Sequence, residues 1–234
     1  MESKNLKAFI LGGSGAVGRE LVQSLCESNN WSHVTVIVRR VLEQWKPYID
    51  SKKLEVIQVE NLDSLEKIEE WKKLENFSSL FCCLGSRTKY GEDVFVKTDY
   101  TYPLWGANIC KAWNIPHYSL VSSVGANSNS CFLYMKTKGR VEQDLKAIKL
   151  PYTTIHRPGL ITDRDNDSRF GEKILSYVPF MDKISAQQIA QALKKEAELA
   201  HFQNKIDPNK PQDNTYNNRQ MLNFAKNSQN TDQK

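Results

Sequence analysis

The apolar run Ala8-Phe9-Ile10-Leu11 leads straight into Gly12-Gly13-Ser14-Gly15-Ala16-Val17-Gly18, and a helical pattern follows from Arg19 to Leu25. Gly12, Gly15 and Gly18 recur at every third position. A strand that ends in a glycine turn and reverses at once into a helix is the first half of a βαβ unit. Such a turn is tight, lets the backbone approach phosphates closely and aims a helix N-terminus at negative charge. By itself the turn is as compatible with a plain strand–helix connection as with a phosphate site. The rest of the chain decides between them.

Short apolar runs at 7–12, 33–38, 54–59, 79–84, 117–122 and 152–157 alternate with helical patterns at 16–29, 63–74, 100–113, 133–149 and 185–202. Runs separated by helices predict right-handed crossovers and a parallel sheet with helices on both faces, a Rossmann-like doubly wound α/β fold. Pro47, Pro103, Pro116, Pro151 and Pro158 fall near the edges of these elements, where a missing N–H costs least. We read residues 1–202 as one nucleotide-binding domain, with a small substrate or lid region at about 159–202. Residues 203–234 are crowded with Asn and Gln and poor in apolar side chains. That composition predicts a tail that is largely disordered or loosely docked. Gln220 to Ala225 is its one candidate docking helix.

The 234 residues, 40% hydrophobic, suffice for one sizeable domain. A net charge of +5, spread without dense basic blocks, gives no footprint for direct nucleic-acid binding. No apolar stretch reaches the roughly 18–20 residues of a membrane helix, and none near the N-terminus resembles a signal peptide. The five cysteines (26, 82, 83, 110 and 131) form no CxxC pair, and the four histidines show no metal-ligand spacing. Neither a disulfide framework nor a metal site is expected. Cys82 and Cys83 read as small fillers of a buried strand. A reducing compartment, most simply the cytoplasm, follows.

Four further segments carry chemistry. The second strand runs into Arg39-Arg40, about 21 residues after Gly18, with no acidic residue between 36 and 42. An Asp or Glu there would take a ribose 2′-hydroxyl. Arginine pairs instead with a 2′-phosphate, which favours NADP, with NADPH preferred over NADH. Without the glycine turn, two solvated arginines at a strand end would be the simpler reading. The fourth strand ends in Leu84-Gly85, placed to wall the adenosine and ribose side, or to be an ordinary strand–loop junction. The fifth ends in Ser122-Ser123. Eleven residues after Ser123 stands Tyr134, then Lys138. On a helix, positions i and i+4 share a face, so phenol and ammonium sit together. Tyr-x-x-x-Lys is common on helix surfaces; the strand-end serine upstream makes this instance specific. Finally, Arg157-Pro158-Gly159-Leu160-Ile161 follows the sixth strand and would carry the chain over a nicotinamide, or form another Pro-Gly loop. A P-loop hydrolase fails on its residues. Gly13 and Gly18 have the spacing, but Arg19-Glu20 replaces the Lys-Ser/Thr that holds phosphate and metal.

In this order, Gly-x-x-Gly-x-x-Gly, the serine strand end, Tyr-x-x-x-Lys and Arg-Pro-Gly resemble the atypical short-chain dehydrogenases/reductases. More narrowly, the chain resembles the HIV Tat-interactive protein oxidoreductase family over roughly residues 7–200. The resemblance implies an NADPH site made by Gly12, Ser14, Gly15, Ala16, Val17, Gly18, Arg39, Arg40, Leu84, Gly85, Tyr134, Lys138, Ile161 and Arg169. It implies Tyr134 as proton donor and acceptor, with Ser123 and Lys138 completing the catalytic set. Ser122 is the alternative serine. Ala16-Val17 stands where the family usually carries a polar pair, so only backbone amides would meet phosphate there. The catalytic asparagine of many short-chain dehydrogenases has no clear counterpart near Val96–Asp99, and the region from Gly171 onward matches poorly.

The expected activity is hydride transfer from NADPH to a small-molecule carbonyl substrate. The alternative is an NADPH-binding regulator with little or no turnover, acting in transcription, nuclear import or trafficking. That role would bring protein partners and nuclear or membrane-peripheral presence. The long helices at 100–113 and 133–149 fit a monomer or a homodimer equally.

Overall fold

The computed structural model describes residues 5–63, 76–163 and 182–229, the last three by backbone alone. The strands are β1 (Leu6–Leu11), β2 (Trp31–Val38), β3 (Leu54–Gln58), β4 (Ser79–Cys82), β5 (His117–Val121), β6 (Tyr152–Arg157), β7 (Leu160–Ile161), β8 (Lys183–Ile184) and β9 (Gln212–Asn217). The helices are α1 (Ala16–Cys26), α2 (Lys46–Asp50), α3 (Glu92–Val96), α4 (Tyr102–Ala112), α5 (Leu133–Ala147), α6 (Ala186–Phe202) and α7 (Asn218–Gln229).

Seven strands form one parallel sheet in the order β3-β2-β1-β4-β5-β6-β9. The chain moves outward from β1 through β2 to β3, then crosses to β4 on the other side of β1. This reversal opens a crevice at the carboxyl ends of β1 and β4, where ligands of doubly wound sheets sit. β7 and β8 form a separate parallel pair.

Period-two alternation in β1 supplies both faces. Ala8 and Ile10 point to a core shared with Leu21, Val22 and Leu25 of α1 and Ile189, Leu193 and Ala197 of α6. Phe9 and Leu11 point to a second core with Ala107 and Ile109 of α4 and Val141 and Leu145 of α5. Each fully buried Leu or Ile adds roughly 1.5–3 kcal/mol, which is why the six apolar runs were legible as strands. The result is the expected doubly wound parallel sheet with helices on both faces.

The helix expected at 63–74 lies, apart from its first residue, outside the described residues. Two elements depart from expectation. The helical pattern at 100–113 begins as a π-helical turn over Lys97–Thr101 and becomes α-helical only at Tyr102. The second departure is the tail. Residues 212–217 form β9, paired with β6 in register from Tyr152↔Gln212 to Arg157↔Asn217. An edge strand draws its stability from ladder hydrogen bonds, so its polar composition hid it. The candidate docking helix extends to α7, with Met221 fully buried and Ala225 nearly so. Residues 186–202, assigned from sequence to the lid, pack as α6 in the same core as α1.

The C-terminal elements are tied to the sheet by polar groups. Tyr152 and Tyr216 both donate to Glu196 Oε1, at 3.0 and 3.3 Å. Glu196 Oε2 lies 3.7 Å from His117 Nε2. His117 Nδ1 is 2.9 Å from Ser79 Oγ, and its Nε2 is 3.0 Å from Thr154 Oγ1. Burial pushes Glu196 up to about 7 and drives His117 well below the usual histidine range.

Candidate active site

The β1–α1 turn is shaped by glycine at three places where a side chain has no room. Gly12 has φ +82°, and a Cβ there would lie 2.7 Å from the Cys83 carbonyl carbon and the Leu84 nitrogen. A Cβ on Gly18 would lie 2.1 Å from the Gly12 oxygen, and one on Gly13 would lie 2.2 Å from Val36 Cγ2. Gly12 thus lets the turn press against the end of β4, and Gly18 lets α1 start directly over it. Gly15 is different. It is exposed, caps α1 in extended conformation (φ −76°, ψ 170°), and has no close contact that forbids a Cβ. Its bareness leaves the approach to the helix N-terminus open. No side chain caps that terminus, and its first turn holds no acidic residue. Free amides facing a bare glycine turn are what a pyrophosphate needs. Gly13 was passed over by the every-third-residue reading. Gly13, Gly15 and Gly18 also stand in Gly-x-Gly-x-x-Gly order, and Gly13 is the glycine that seats the turn against β2.

The other sequence-derived candidates gather at the same sheet edge, because each follows the carboxyl end of a parallel strand. Arg39 and Arg40 follow β2 and are both exposed. Leu84 and Gly85 follow β4, with Gly85 exposed and Leu84 packed on the second core. Ser122 and Ser123 follow β5. Ile161 lies in β7, just beyond β6, and packs on the first core. Arg169 lies outside the described residues.

Tyr134 and Lys138 sit one turn apart on α5. Gly139, next to them, lets the loop before α5 cross the helix closely, since a Cβ there would lie 2.1 Å from the Ser128 nitrogen. The Asn127 amide donates to the Met135 carbonyl at 3.0 Å, fixing that crossing. The Tyr134 ring stacks on Phe95 of α3, with centroids 5.6 Å apart and planes at 28°. Lys138 is buried, and its Nζ lies 2.8 Å from Asp99 Oδ1. Asp99 Oδ2 accepts the Ser86 amide at 2.7 Å. Burial opposes the Lys138 charge, but Asp99 and Tyr134 outweigh it and hold its pKa above the ordinary lysine value.

Asp99 was missed from sequence, since only an asparagine was sought near Val96–Asp99. It belongs to the π-helical turn that precedes α4. The wider turn is what aims a buried carboxylate at α5. Such bulges are frequent at functional sites.

The two serines differ. Ser122 Oγ donates to Glu142 Oε1 at 2.5 Å, and Arg157 Nε donates to both Glu142 oxygens at 3.0 and 3.1 Å. The Arg157 guanidinium also ion-pairs with Glu142 through its terminal nitrogen. Ser122 is therefore committed to a structural brace that holds the Arg-Pro-Gly loop against α5. Ser123 Oγ donates to the neighbouring Val124 carbonyl at 3.1 Å, a contact a reacting oxygen can displace. Glu142 was also missed, although Tyr134, Lys138 and Glu142 stand at i, i+4 and i+8 on one helix face.

Cys82 is buried with its thiol pKa raised, and burial lifts Cys26 to about 12. Among the described residues no cluster could hold a metal, and no helix is long and apolar enough to cross a membrane.

A family model described as NAD(P)H-binding matches residues 12–198. The chain is 36% identical to Protein HTATIP2 of Rattus norvegicus over 72% of this chain and 68% of that protein. It is 33% identical to Protein FMP52-1, mitochondrial, of Scheffersomyces stipitis over 70% of this chain and 71% of that protein. Among solved structures it resembles a UDP-N-acetylglucosamine 4-epimerase from Methanobrevibacter ruminantium M1, with TM-score 0.67, 18% identity, and coverage of 92% of this chain and 76% of that one. It also resembles MoeE5 in complex with UDP-glucose and NAD, with TM-score 0.65, 13% identity, and coverage of 90% and 75%. At these identities the two structures speak for the fold alone. The glycine turn, the strand order and the matched relatives agree: the chain belongs to the NAD(P)H-binding Rossmann family, among the short-chain dehydrogenase/reductase-like relatives of HTATIP2.

Proposed function

We propose that the protein is an NADPH-dependent reductase of small-molecule carbonyl compounds. The observation that carries this reading is the placement of Tyr134 and a buried, Asp99-held Lys138 on α5, a helix whose preceding loop leaves β5 beside Ser123. The bound nicotinamide would supply a hydride to the carbonyl carbon. The chain's own residues do the rest. Ser123 Oγ donates a hydrogen bond to the carbonyl oxygen. Tyr134 gives up its phenolic proton as charge builds on that oxygen, so carbonyl becomes alcohol. Lys138 stabilises the phenolate left behind, since a phenol without a neighbouring cation is a poor acid near neutral pH.

The cofactor's other contacts are assigned by position. The amides of Ser14, Ala16 and Val17 would meet the pyrophosphate, with Gly12, Gly15 and Gly18 shaping the turn, where the Gly15 amide donates to the Gly12 carbonyl. Arg39 and Arg40 would take the 2′-phosphate. Leu84 and Gly85 would line the ribose side, and Ile161 the nicotinamide side; Arg169 is a contact by family resemblance alone. The cytoplasm is the proposed compartment. It fits five unpaired thiols, and fractionation against mitochondria tests it, since relatives carry mitochondrial names.

The test is NADPH oxidation across a panel of aldehydes and ketones, with Tyr134→Phe as control. Turnover with at least one substrate, falling a hundredfold or more in Tyr134→Phe, supports the mechanism. Turnover indifferent to that substitution removes Tyr134 from it, and cofactor binding without turnover anywhere favours a regulatory role.

A further inference from the structure

The C-terminal segment reaches back to the loop that follows β6. Gly159 N donates to Asn218 Oδ1 at 2.9 Å, and Asn218 Nδ2 donates to the Lys183 carbonyl at 3.4 Å. One side-chain amide therefore bridges the Arg-Pro-Gly loop and β8. Asn218 is 8% exposed, so these bonds are shielded from water.

The placement is built. Register between β6 and β9 sets Asn217 opposite Arg157, so the chain leaves β9 level with Pro158-Gly159. Asn217 and Gln220 then cap α7 reciprocally. Asn217 Oδ1 accepts the Gln220 amide at 3.0 Å, and Gln220 Oε1 accepts the Asn217 amide at 2.9 Å. With the cap supplied by Asn217, the Asn218 side chain is left to face the loop. Gly159 has no room for anything larger, since a Cβ there would lie 2.1 Å from the Asp182 oxygen and 3.3 Å from Asn218 Oδ1. The same loop is tied to the serine strand end, where the Val124 amide donates to the Pro158 carbonyl at 2.9 Å.

We infer that Asn218 is a positioning residue for the nicotinamide half of the cofactor cleft, acting through the Gly159 amide. The tail thus closes the half of the cleft where reaction would occur, while the glycine turn and the arginines hold the adenosine half. This rests on the cofactor reading above. An asparagine that merely stabilised the fold would affect both halves alike.

Binding of NADPH and of 2′,5′-ADP, which carries the adenosine half alone, separates these cases. For Asn218→Ala the expected result is NADPH affinity reduced about tenfold, with 2′,5′-ADP affinity within twofold of wild type. Asn218→Asp keeps an acceptor for Gly159 and should retain most affinity for both ligands. Asn218→Ser, whose shorter side chain no longer reaches the Gly159 amide, carries the same two-ligand test if the alanine variant does not fold. Equal weakening of both ligands, or of neither, in the alanine or serine variant overturns the inference. Wild-type protein that binds neither ligand contradicts the cofactor reading itself, and the inference falls with it.

Discussion

Lys138 Nζ lies 2.8 Å from Asp99 Oδ1, with side chains 6% and 1% exposed. The proposed catalytic lysine is therefore part of a buried ion pair that also captures the Ser86 amide beside the cofactor cleft. Removing one partner strands the other charge in a poorly solvating interior, which costs about 3–5 kcal/mol. Asp99→Ala should lose stability on that order in urea unfolding. Asp99→Asn keeps one acceptor oxygen, sets an NH2 against the other donor and leaves the Lys138 charge unneutralised, so it should also lose stability, though less than the alanine variant. A loss below about 1 kcal/mol for the alanine variant would show that the pair is solvated in solution.

Gly18 and Gly85 border the same cleft but differ in room. A Cβ on Gly18 would lie 2.1 Å from the Gly12 carbonyl oxygen, whereas on Gly85 its nearest neighbour is Asp99 Oδ1 at 3.8 Å. Gly18→Ala must push α1 off the turn and should abolish detectable cofactor binding. Gly85→Ala should bind within a few-fold of wild type. Calorimetric titration of both variants checks this contrast; equal binding would refute the tight-turn geometry.

Glu196 gives a pH dependence with a defined sign. Its carboxyl is raised to about 7 by burial, against the partly offsetting hydrogen bonds from Tyr152 and Tyr216. Between the ordinary carboxylate range and about pH 7, the folded protein keeps a proton that the unfolded chain has released. Stability from this group therefore falls as pH rises through that window and stays reduced above it. Glu196→Gln carries no such penalty. Its stability relative to wild type should improve on going from pH 5 to pH 8 by on the order of 3 kcal/mol, read from melting curves at both values. No change in the difference would mean that Glu196 is ionised throughout.

The Ser122–Glu142–Arg157 brace makes a separate prediction. Glu142→Gln removes the charge that holds Arg157 but keeps an acceptor for the Ser122 hydroxyl, while Ser123 remains in place. Carbonyl turnover should fall through a looser Arg-Pro-Gly loop, whereas Ser123→Ala should fall further because it removes a donor to the reacting oxygen. Steady-state kinetics on one substrate ranks them. The reverse ranking would exchange the roles of the two serines.

What was legible in the sequence followed from periodicity and strand ends. Alternation in Leu6–Leu11 and the apolar runs at β2, β4, β5 and β6 announced a buried parallel sheet, and each candidate after a strand end was carried to the same edge by that topology. What escaped depended on distant contacts. Asp99 matters because a π-helical turn aims it at Lys138, and nothing local marks such a turn. β9 reads as a polar tail because its stability comes from pairing with β6. Asn218 acquires a role only through that pairing. Gly13, by contrast, stands in Gly-x-Gly-x-x-Gly spacing with Gly15 and Gly18, a signal the sequence itself carries.

The central claim is that the cleft takes a 2′-phosphorylated dinucleotide, and side-by-side fluorescence titration with NADPH and NADH tests it most directly. One charge-assisted hydrogen bond contributes about 1.5–3 kcal/mol, so Arg39 and Arg40 predict NADPH bound at least about tenfold more tightly, with the preference lost in the Arg39→Ala, Arg40→Ala double variant. Equal affinities for the two cofactors, or a preference that survives loss of both arginines, would contradict the account.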